Sequence, residues 1–394
     1  PLALISIGAA FNFKNAKKEV RRFSGGKMKK SKEKKKKSLL RCMLKVLLSV
    51  VALVLVVVVV YLAYMFISYG RIEDNIKLEA ENVYAKSEKT VKVDEVYKLL
   101  SWNVGYGAYS DDYTFFMDGG VESWARKDEL DRNMKGIISK IESVDADFVY
   151  LQEVDKNGTR THHLDEVSMI NDKLKLNTSF AVNFDSSFLF YPLTEPHGKN
   201  LSGMMTMSKF EMKDGIRHSL PIETGFRKFL DYDRAYTKLY VDVENGKKLV
   251  LLNLHLSAFT ADGKIAIEQL QIIVDDMLKE RAAGNYVIAA GDFNKDLTGN
   301  CNEIFNNTEV YVWAQPIPDG IIPDSIRLVD PTNYETLVPS CRNNNEPYQK
   351  GHTFIVTVDG FMVTDNVEIE SYNIFDEGFK YSDHNPVELN FKLK

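Results

Sequence analysis

Ala-Ala-Gly-Asp-Phe-Asn occupies residues 289–294 of this chain, and Tyr-Ser-Asp-His-Asn-Pro-Val occupies residues 381–387. Each segment borders an apolar, strand-like run, so each places carboxylate, amide or imidazole groups at the end of a strand. Hard metal ions and phosphates are commonly bound at such strand ends. The two segments therefore indicate both the class of fold and the position of a site.

Strand-like and helix-like patterns alternate around these segments. Several apolar runs are nearly continuous, as expected of strands that are buried on both faces. Glu129–Ile141 and Lys264–Leu278 have apolar residues at spacings of three and four, which predicts amphipathic helices. The predicted strands are Tyr97–Asn103, Ala146–Gln152, Lys238–Val243, Leu249–Leu254, Tyr286–Ala290, Phe354–Val363 and Val387–Phe391. The mixture predicts an α/β domain.

The N-terminal part of the chain is of a different kind. Val46–Tyr69 is 24 residues without a charge, and as a helix it would span roughly 36 Å, enough to cross a bilayer. Large apolar residues continue to its end, unlike the short core and small-residue cleavage site of a secretory signal peptide. We predict a basic cytoplasmic segment at residues 1–45, a transmembrane helix at 46–69, a stalk at 70–95 and a single domain at 96–394. Whether residues 1–27 precede the native start is open, because Met28 stands just before the lysine run.

Charge is distributed unevenly along the chain. Residues 1–70 hold 15 of the 50 Lys and Arg residues and two of the 55 Asp and Glu residues. The positive-inside rule therefore predicts a cytoplasmic N-terminus and a domain outside the cell. That domain retains 35 basic and 53 acidic residues, a net charge of −18 from position 71 onward. Such a charge argues against a tight polyanion-binding module, although it does not exclude an enzyme whose metal ion supplies positive charge locally.

The cysteines and one irregular stretch carry further signals. No Cys or His spacing suggests a zinc site, and it is open whether Cys301 and Cys341 form a disulfide outside the cell. Residues 301–351 are rich in Asn, Pro and Tyr and lack periodicity, which favours a functional loop. No clear hydrophobic hairpin for entering a lipid surface is visible, although Tyr311–Trp313 and Ile321–Ile322 in this stretch are candidates.

Five strand ends carry the same class of polar side chain. One such residue alone would be unremarkable, since a lone carboxylate at a strand end is usually a surface group and a lone histidine is usually a hydrogen-bonded buried one. Their recurrence is more informative than any single motif. The residues are Asn103, Glu153, His255, the pair Asp292 and Asn294, and the pair Asp383 and His384.

With these motifs in this order, the chain resembles the endonuclease/exonuclease/phosphatase superfamily over about residues 96–394. That superfamily includes pancreatic-type deoxyribonucleases, AP endonucleases, neutral sphingomyelinases and inositol-polyphosphate 5-phosphatases. The resemblance implies a four-layer α/β/β/α sandwich in which two mixed sheets pack face to face. It also implies a metal-dependent hydrolase of phosphoester bonds, here as a membrane-anchored bacterial-type member.

The resemblance implies a metal site built from three residues. Glu153 would be the main ligand, and Asn103 and Asp383 would complete or support the shell. Mg²⁺ prefers oxygen ligands and retains several waters, so carboxylates and an amide form a fitting partial shell. We expect Mg²⁺ as the cofactor, and Mn²⁺ would also fit.

The resemblance further implies catalytic roles. Asp292 would orient or deprotonate the attacking water, and Asn294 would hold the phosphate or the metal. His384 would stabilise the developing charge or protonate the leaving group, and Asp359 would orient His384. His255 matches a phosphate-contacting histidine of the deoxyribonuclease and sphingomyelinase branches.

Other residues give weaker signals. Arg160 follows Glu153 closely and is predicted to contact substrate, although an incidental position is the alternative. The loop at residues 106–120, which contains Asp118, either borders the metal or is a solvated turn. Arg234 either meets a phosphate or balances nearby carboxylates.

The sequence leaves the substrate open. Nucleic acid and a phospholipid headgroup are both candidate phosphodiesters, and the alternative to a nuclease-like enzyme is a sphingomyelinase-like or phospholipase-C-like one. A catalytically inactive, membrane-tethered binding domain is a further alternative, against which the complete set of site residues argues. We predict no protein partner.

Overall fold

A computed structural model of the protein describes residues 3–82, 90–229, 231–258, 264–311, 313–333 and 337–394. The chain divides into two compact units, Pro1–Ser68 and Tyr69–Lys394.

The first unit contains one long helix, α1, over Ala3–Ser68. Its segment Met28–Ser68 is long and apolar enough to cross a membrane by length and composition. A helix of this kind near the N-terminus is typical of a membrane span or of a signal sequence.

The second unit contains more strands than helices. Its helices are α2 (Lys127–Val144), α3 (Glu166–Leu174), α4 (Lys264–Ala282) and α5 (Cys301–Ile304). Its strands are β1 (Ile76–Leu78), β2 (Tyr97–Asn103), β3 (Phe148–Gly158), β4 (Asn177–Asp185), β5 (Asn200–Ser208), β6 (Lys213–Ser219), β7 (Ala235–Asp242), β8 (Lys248–His255), β9 (Tyr286–Asp292), β10 (Ile326–Leu328), β11 (Cys341–Arg342), β12 (Ile355–Val356), β13 (Asp359–Thr364), β14 (Val367–Ile374) and β15 (Val387–Leu393).

The strands of the described residues form two large mixed sheets. One has the order β1-β6-β7-β8-β9-β13-β10, the other has the order β14-β15-β2-β3-β5-β4, and β11 and β12 form a separate ribbon. Each large sheet contains one parallel pair, β8 with β9 and β2 with β3. Helix α4 connects the first pair and α2 connects the second, as parallel neighbours require a crossover. The carboxyl ends of β8 and β9 therefore lie together at one end of the first sheet, and those of β2 and β3 lie together at one end of the second.

The two sheets pack face to face with helices outside, so the predicted four-layer α/β/β/α sandwich is confirmed. Leu99 and Phe148 of one sheet and Leu251 and Ile288 of the other belong to one fully buried cluster between the sheets. The outer faces of the sheets are covered by α2 and α4, whose apolar stripes form two further clusters. Burying both faces explains the nearly continuous apolar runs of the central strands.

The predicted central strands and both predicted helices are present, with bounds shifted by a few residues. The predicted run Phe354–Val363 is divided into β12 and β13. Strands β1, β4, β5, β6, β10, β11 and β14 and helices α3 and α5 were not predicted. Polar and apolar residues are mixed in these elements, for example in Asn-Thr-Ser-Phe-Ala-Val-Asn-Phe-Asp of β4, so their apolar pattern is weak.

The predicted stalk at residues 70–95 is corrected by the structure. Strand β1 lies within this segment and pairs antiparallel with β6. The backbone N–H of Ile72 donates to Asp233 Oδ2 at 3.0 Å, and Val91 forms a bridge with Val243. Residues 83–89 lie outside the described part of the chain. The described part of this segment belongs to the folded domain, because it supplies an edge strand that the sequence pattern did not reveal.

Candidate active site

The site lies where the two parallel strand pairs end. Asn103 is the last residue of β2, His255 the last of β8 and Asp292 the last of β9. His255 and Asp292 are direct neighbours in the β8–β9 register. Just beneath the site, Gln152 Nε2 donates to Asn253 Oδ1 at 2.8 Å, a buried contact that joins the two sheets. The sandwich therefore brings the polar ends of strands from both sheets together.

Glu153 is aimed by a local irregularity in β3. The pairing of β3 with β5 jumps from Leu151 to Val154, which is a β-bulge, and Glu153 has a φ of 56° within it. A bulge redirects a side chain out of the regular alternation of the strand. Glu153 Oε1 lies 3.8 Å from His255 Nε2, across the gap between the sheets. Burial and the neighbouring Asp383 raise the pKa of Glu153 to about 8.

Asp292 is held by hydrogen bonds to both carboxylate oxygens. Its Oδ1 accepts from the backbone N–H of Asn294 at 2.8 Å, and its Oδ2 accepts from Asn103 Nδ2 at 3.1 Å. Burial raises the pKa of Asp292 to about 6, although the His384 charge and these hydrogen bonds oppose the rise. The preceding residue, Gly291, has a φ of 146°, and a Cβ there would lie 2.0 Å from the carbonyl oxygen of Leu254. Only glycine permits this close approach of the two strands.

His384 forms a buried pair with Asp359. His384 Nδ1–H donates to Asp359 Oδ2 at 2.7 Å, and Ser340 Oγ donates to the same oxygen at 2.7 Å. Burial alone would lower the pKa of His384, but the Asp359 carboxylate outweighs it and holds the pKa well above its usual value. Its Nε2 lies 3.9 Å from Asp292 Oδ2. Trp102 Nε1 donates to the backbone carbonyl of His384 at 2.8 Å and fixes its position. The pair therefore presents a charged imidazole to Asp292.

His255 has the opposite electrostatic character. It is 2% exposed, and its Nε2 lies 3.6 Å from Asp292 Oδ2. Burial, together with the charges of Arg234 and His384, lowers its pKa well below the usual value. The site thus holds one imidazole in the cationic form and one in the neutral form.

These groups surround a cavity of about 130 Å³. Six of the predicted residues line it, and Asn103 and Asp359 lie behind the wall, where they hold Asp292 and His384. The lining residues are Tyr109, Phe115, Asp118, Glu153, Tyr232, Arg234, His255, Ala258, Asp292, Asn294, Trp313, Cys341, Arg342, Asn343, Asn344, Asp383 and His384.

Arg160 is not part of this wall, which corrects the predicted substrate contact. It is 2% exposed, its guanidinium donates to both oxygens of Asp155 at 2.8 and 3.0 Å, and a further bond goes to Ser202 Oγ at 3.1 Å. The guanidinium carbon lies 3.2 Å from the ring centre of Tyr106. Three donated hydrogen bonds and the contact with the Tyr106 ring hold the guanidinium in the interior, so Arg160 acts as a structural residue. Its closeness to Glu153 in sequence does not place it in the cavity.

The two weaker sequence signals do lead to the cavity. Asp118 lines it, and burial together with the nearby Asp383 raises the Asp118 pKa to about 7. Arg234 also lines it, and its guanidinium is held by Asp231 Oδ1 and by the carbonyl of Leu256 at 2.8 Å.

Residues from the irregular stretch at 301–351 were not predicted as site residues. Asn344 Nδ2 donates to Asp383 Oδ2 at 2.5 Å, and Cys341 Sγ lies 3.5 Å from His384 Nε2. Burial raises the pKa of Cys341 to about 12, and both Cys301 and Cys341 are free thiols. The sequence carries no motif for these contacts, because they depend on how β11 is placed beside His384, with which Cys341 forms a bridge.

The donor set fits a divalent cation. Glu153 and Asp383 line one cavity, and their mutual repulsion contributes to the raised pKa of Glu153, which a bound cation would relieve. Potential ligand atoms of Asp292, Asp359 and His384 also lie within 4.8 Å of one another. In that group, however, Asp359 accepts a short hydrogen bond from His384 and serves to orient that histidine. The carboxylates of Glu153 and Asp383 are therefore the better candidates for binding a hard ion.

Comparisons with known proteins agree with this architecture. Residues 100–308, more than half of the chain, match the model of the Endonuclease/Exonuclease/phosphatase family. No curated protein is significantly similar in sequence to the chain. Among solved structures, an endonuclease/exonuclease/phosphatase from Beutenbergia cavernae DSM 12333 is similar with a TM-score of 0.52 and 18% identity, over 76% of this chain and 72% of that one. ANGEL2, a 2′,3′-cyclic phosphatase solved with adenosine-2′,3′-vanadate, is similar with a TM-score of 0.51 and 14% identity, over 81% of this chain and 99% of that one. The chain therefore belongs to the Endonuclease/Exonuclease/phosphatase family of phosphoester hydrolases.

Proposed function

We propose that the protein is a divalent-metal-dependent phosphodiesterase. The observation that carries the proposal is one cavity in which the carboxylate of Asp292 faces a cationic His384, with Glu153 and Asp383 in the same wall. A base, an acid and a pair of oxygen ligands are the groups that hydrolysis of a phosphoester requires.

Glu153 and Asp383 would hold the metal ion. Asn103, which lies behind the cavity wall and donates a hydrogen bond to Asp292, would support the site by holding that carboxylate beside the metal ion. Mg²⁺ suits these oxygen ligands, and Mn²⁺ would fit as well. When bound, such an ion polarises a phosphoryl oxygen and stabilises the negative charge that develops on the phosphate.

Asp292 would orient the attacking water and accept its proton. Its two oxygens are fixed by Asn294 and Asn103, so the lone pairs that remain have a defined direction. Asn294 would contact the phosphate from the same wall of the cavity. Attack would be in line, with water displacing the alcohol directly and no covalent enzyme intermediate.

His384 would stabilise the developing charge and protonate the leaving oxygen. The Asp359 carboxylate keeps it cationic, which an acid needs before the bond breaks. His255 is neutral and would donate a hydrogen bond to a phosphate oxygen, because its Nε2 lies beside Glu153 and Asp292 at the centre of the site.

For location, we propose a single-pass membrane protein whose catalytic domain lies outside the cell. Support comes from the apolar helix that ends at Ser68 and from the concentration of basic residues before it. A phosphodiester in nucleic acid or in a phospholipid headgroup would be the substrate.

The test is hydrolysis of bis-p-nitrophenyl phosphate by the full chain in detergent, with Mg²⁺ and with EDTA. We expect turnover that requires the metal, and we expect His384→Ala and Asp292→Asn each to lower kcat by about 10²–10⁴. Asp296→Asn is the matched control, since Asp296 is also buried but caps the backbone N–H of Cys301 outside the cavity. Turnover that survives both site variants would refute the assignment, and no turnover with any metal would favour the binding-domain alternative.

A further inference from the structure

Exposed apolar side chains of the catalytic domain are concentrated in one place. In the described part of Tyr69–Lys394, eight large apolar residues are exposed, and five of them lie in two loops. We name these five the apolar rim: Met117, Val121, Phe190, Tyr191 and Leu193. Val121, Tyr191 and Leu193 are 81%, 67% and 85% exposed. A concentration of this kind usually marks a binding surface.

The two candidate lipid-entry segments named from the sequence do not form this surface. Ile321 and Ile322 pack partly buried against the core on the α4 side, and Trp313 lines the cavity. Val312 lies outside the described residues.

The two rim loops are joined to each other. Ser123 Oγ donates to the carbonyl of Glu195 at 2.9 Å, and Trp124 Nε1 donates to the carbonyl of Pro196 at 2.7 Å. The rings of Phe116 and Tyr191 lie 5.7 Å apart. The rim is therefore one continuous surface rather than two separate tips.

Each loop is also ordered internally. The backbone N–H of Phe116 donates to the carbonyl of Glu122 at 2.9 Å. Leu189 and Gly198 exchange a pair of backbone hydrogen bonds at 3.0 Å, and the N–H of His197 donates to the carbonyl of Tyr191 at 3.1 Å. The ordered backbone thus keeps these apolar side chains exposed to water. Such exposure favours a partner that covers them.

The rim adjoins the catalytic cavity. Phe115 and Asp118, from the same loop as Met117 and Val121, line the cavity, and the backbone N–H of Phe115 donates to the carbonyl of Asn344 in the cavity wall at 2.9 Å. A surface that covers the rim would therefore meet the mouth of the cavity.

The charges around the rim are acidic. Asp112, Glu122 and Glu195 lie in or beside the rim loops, and the guanidinium of Arg126 is paired with Asp112 and Glu122. The buried guanidinium of Arg342 donates to the carbonyls of Ser110 and Tyr113, and Lys199, which follows the second loop, is paired with Asp185 at 3.4 Å. Such a rim would repel anionic lipid and nucleic acid. Exposed aromatic faces beside carboxylates instead suit a quaternary ammonium group.

We propose that the apolar rim docks on a zwitterionic phospholipid surface, so that the cavity receives the phosphodiester of a choline headgroup. This inference rests on the proposed function, whose substrate class it names. Water adds across one phosphorus–oxygen ester bond, the alcohol leaves with a proton, and a phosphate monoester remains. The apolar helix of the same chain, which ends one residue before the domain begins at Tyr69, is consistent with a site that works at a membrane.

The activity test uses the full chain in phosphatidylcholine nanodiscs with Mg²⁺, with bis-p-nitrophenyl phosphate as a soluble reference in the same sample. The test variant combines Val121→Ser, Tyr191→Ser and Leu193→Ser. The matched control combines Val96→Ser, Ile272→Ser and Val310→Ser, which are exposed elsewhere. We expect the rim variant to lose about 10-fold or more of phosphatidylcholine hydrolysis and to keep its turnover of the soluble diester. The control variant should keep both.

Failure of the inference and failure of the proposed function give different results. Wild-type turnover of the soluble diester without cleavage of phosphatidylcholine, or equal lipid cleavage by the rim variant, overturns the inference alone. Equal or faster cleavage in phosphatidylglycerol nanodiscs contradicts the zwitterionic preference. If the wild-type protein shows no metal-dependent turnover of the soluble diester, the proposed function is refuted.

A second measurement is independent of catalysis. A nitroxide is attached at a single cysteine, in Leu193→Cys or in Ile272→Cys, each in a Cys42→Ser background. In phosphatidylcholine nanodiscs, the nitroxide at position 193 should be more accessible to oxygen than to a polar nickel complex. The nitroxide at position 272 should not show this difference. Equal accessibility at both positions overturns the proposal. A dimer that the rim substitutions dissociate would assign the rim to a second copy of the chain, with the same consequence.

Discussion

Asp359→Asn should shift the pH range in which the enzyme works. In the native protein, His384 Nδ1 lies 2.7 Å from a fully buried carboxylate, which keeps the imidazole charged despite its own burial. An asparagine oxygen still accepts the hydrogen bond but carries no charge. A hydrogen bond to a charged partner contributes about 1.5–3 kcal/mol, against about 0.5–1.5 kcal/mol for a neutral one. The difference of about 1–1.5 kcal/mol corresponds to roughly one pKa unit.

The sign of the shift follows from which form is stabilised. Asp359 raises the pKa of His384, so the acid stays protonated as the pH rises; without that carboxylate, burial dominates and the proton is lost at lower pH. The alkaline limb of kcat/KM should move down by about one pH unit, and activity should fall about 10-fold above the limb and little below it. The assay is bis-p-nitrophenyl phosphate hydrolysis by the full chain across the pH range, with Asp296→Asn as the control. An alkaline limb that does not move, or an equal loss of activity at every pH, would refute the pairing as the source of the cationic histidine.

Three further changes separate metal binding, structure and thiol chemistry. Glu153→Gln should raise the Mg²⁺ concentration for half-maximal activity by at least about 10-fold, and an unchanged activation curve would exclude Glu153 as a ligand. Arg160→Gln should lower the free energy of unfolding by about 3–5 kcal/mol, because it leaves the Asp155 carboxylate buried without its ion-pair partner. A higher KM with unchanged thermal stability would instead show that Arg160 contacts the substrate. Cys341→Ala should keep kcat within about threefold, since a thiol whose pKa is raised to about 12 is no nucleophile, and loss of turnover in a folded variant would assign the thiol a direct role beside His384.

Much of the site could be predicted because its residues follow strands with strong patterns. Asn103, His255 and Asp292 end strands that are buried on both faces, and such strands are nearly continuous apolar runs. The same reasoning missed β4 and β14, whose mixed polar and apolar residues lack that signal. It also assigned the first part of the domain to a stalk, because an edge strand of three residues has too little pattern to detect.

Other features depended on contacts between distant residues. Arg160 lies seven positions after Glu153, yet its guanidinium turns toward Asp155 and the ring of Tyr106. Asn344 reaches Asp383 from the irregular stretch, 39 positions earlier in the chain. Neither orientation follows from sequence spacing, because each is decided by which partner satisfies a buried polar group.

The sequence by itself determined the class of fold, the order of the polar strand ends and the uneven distribution of charge. These properties are local: an apolar run, a Gly-Asp-Phe-Asn or Ser-Asp-His segment and a count of charged residues exist before folding. Only the tertiary structure decided which imidazole is cationic, which residues form the cavity wall, and that five apolar side chains meet beside its mouth. Those properties arise from burial and from distances between residues far apart in the chain, and both exist only when the two sheets are packed together.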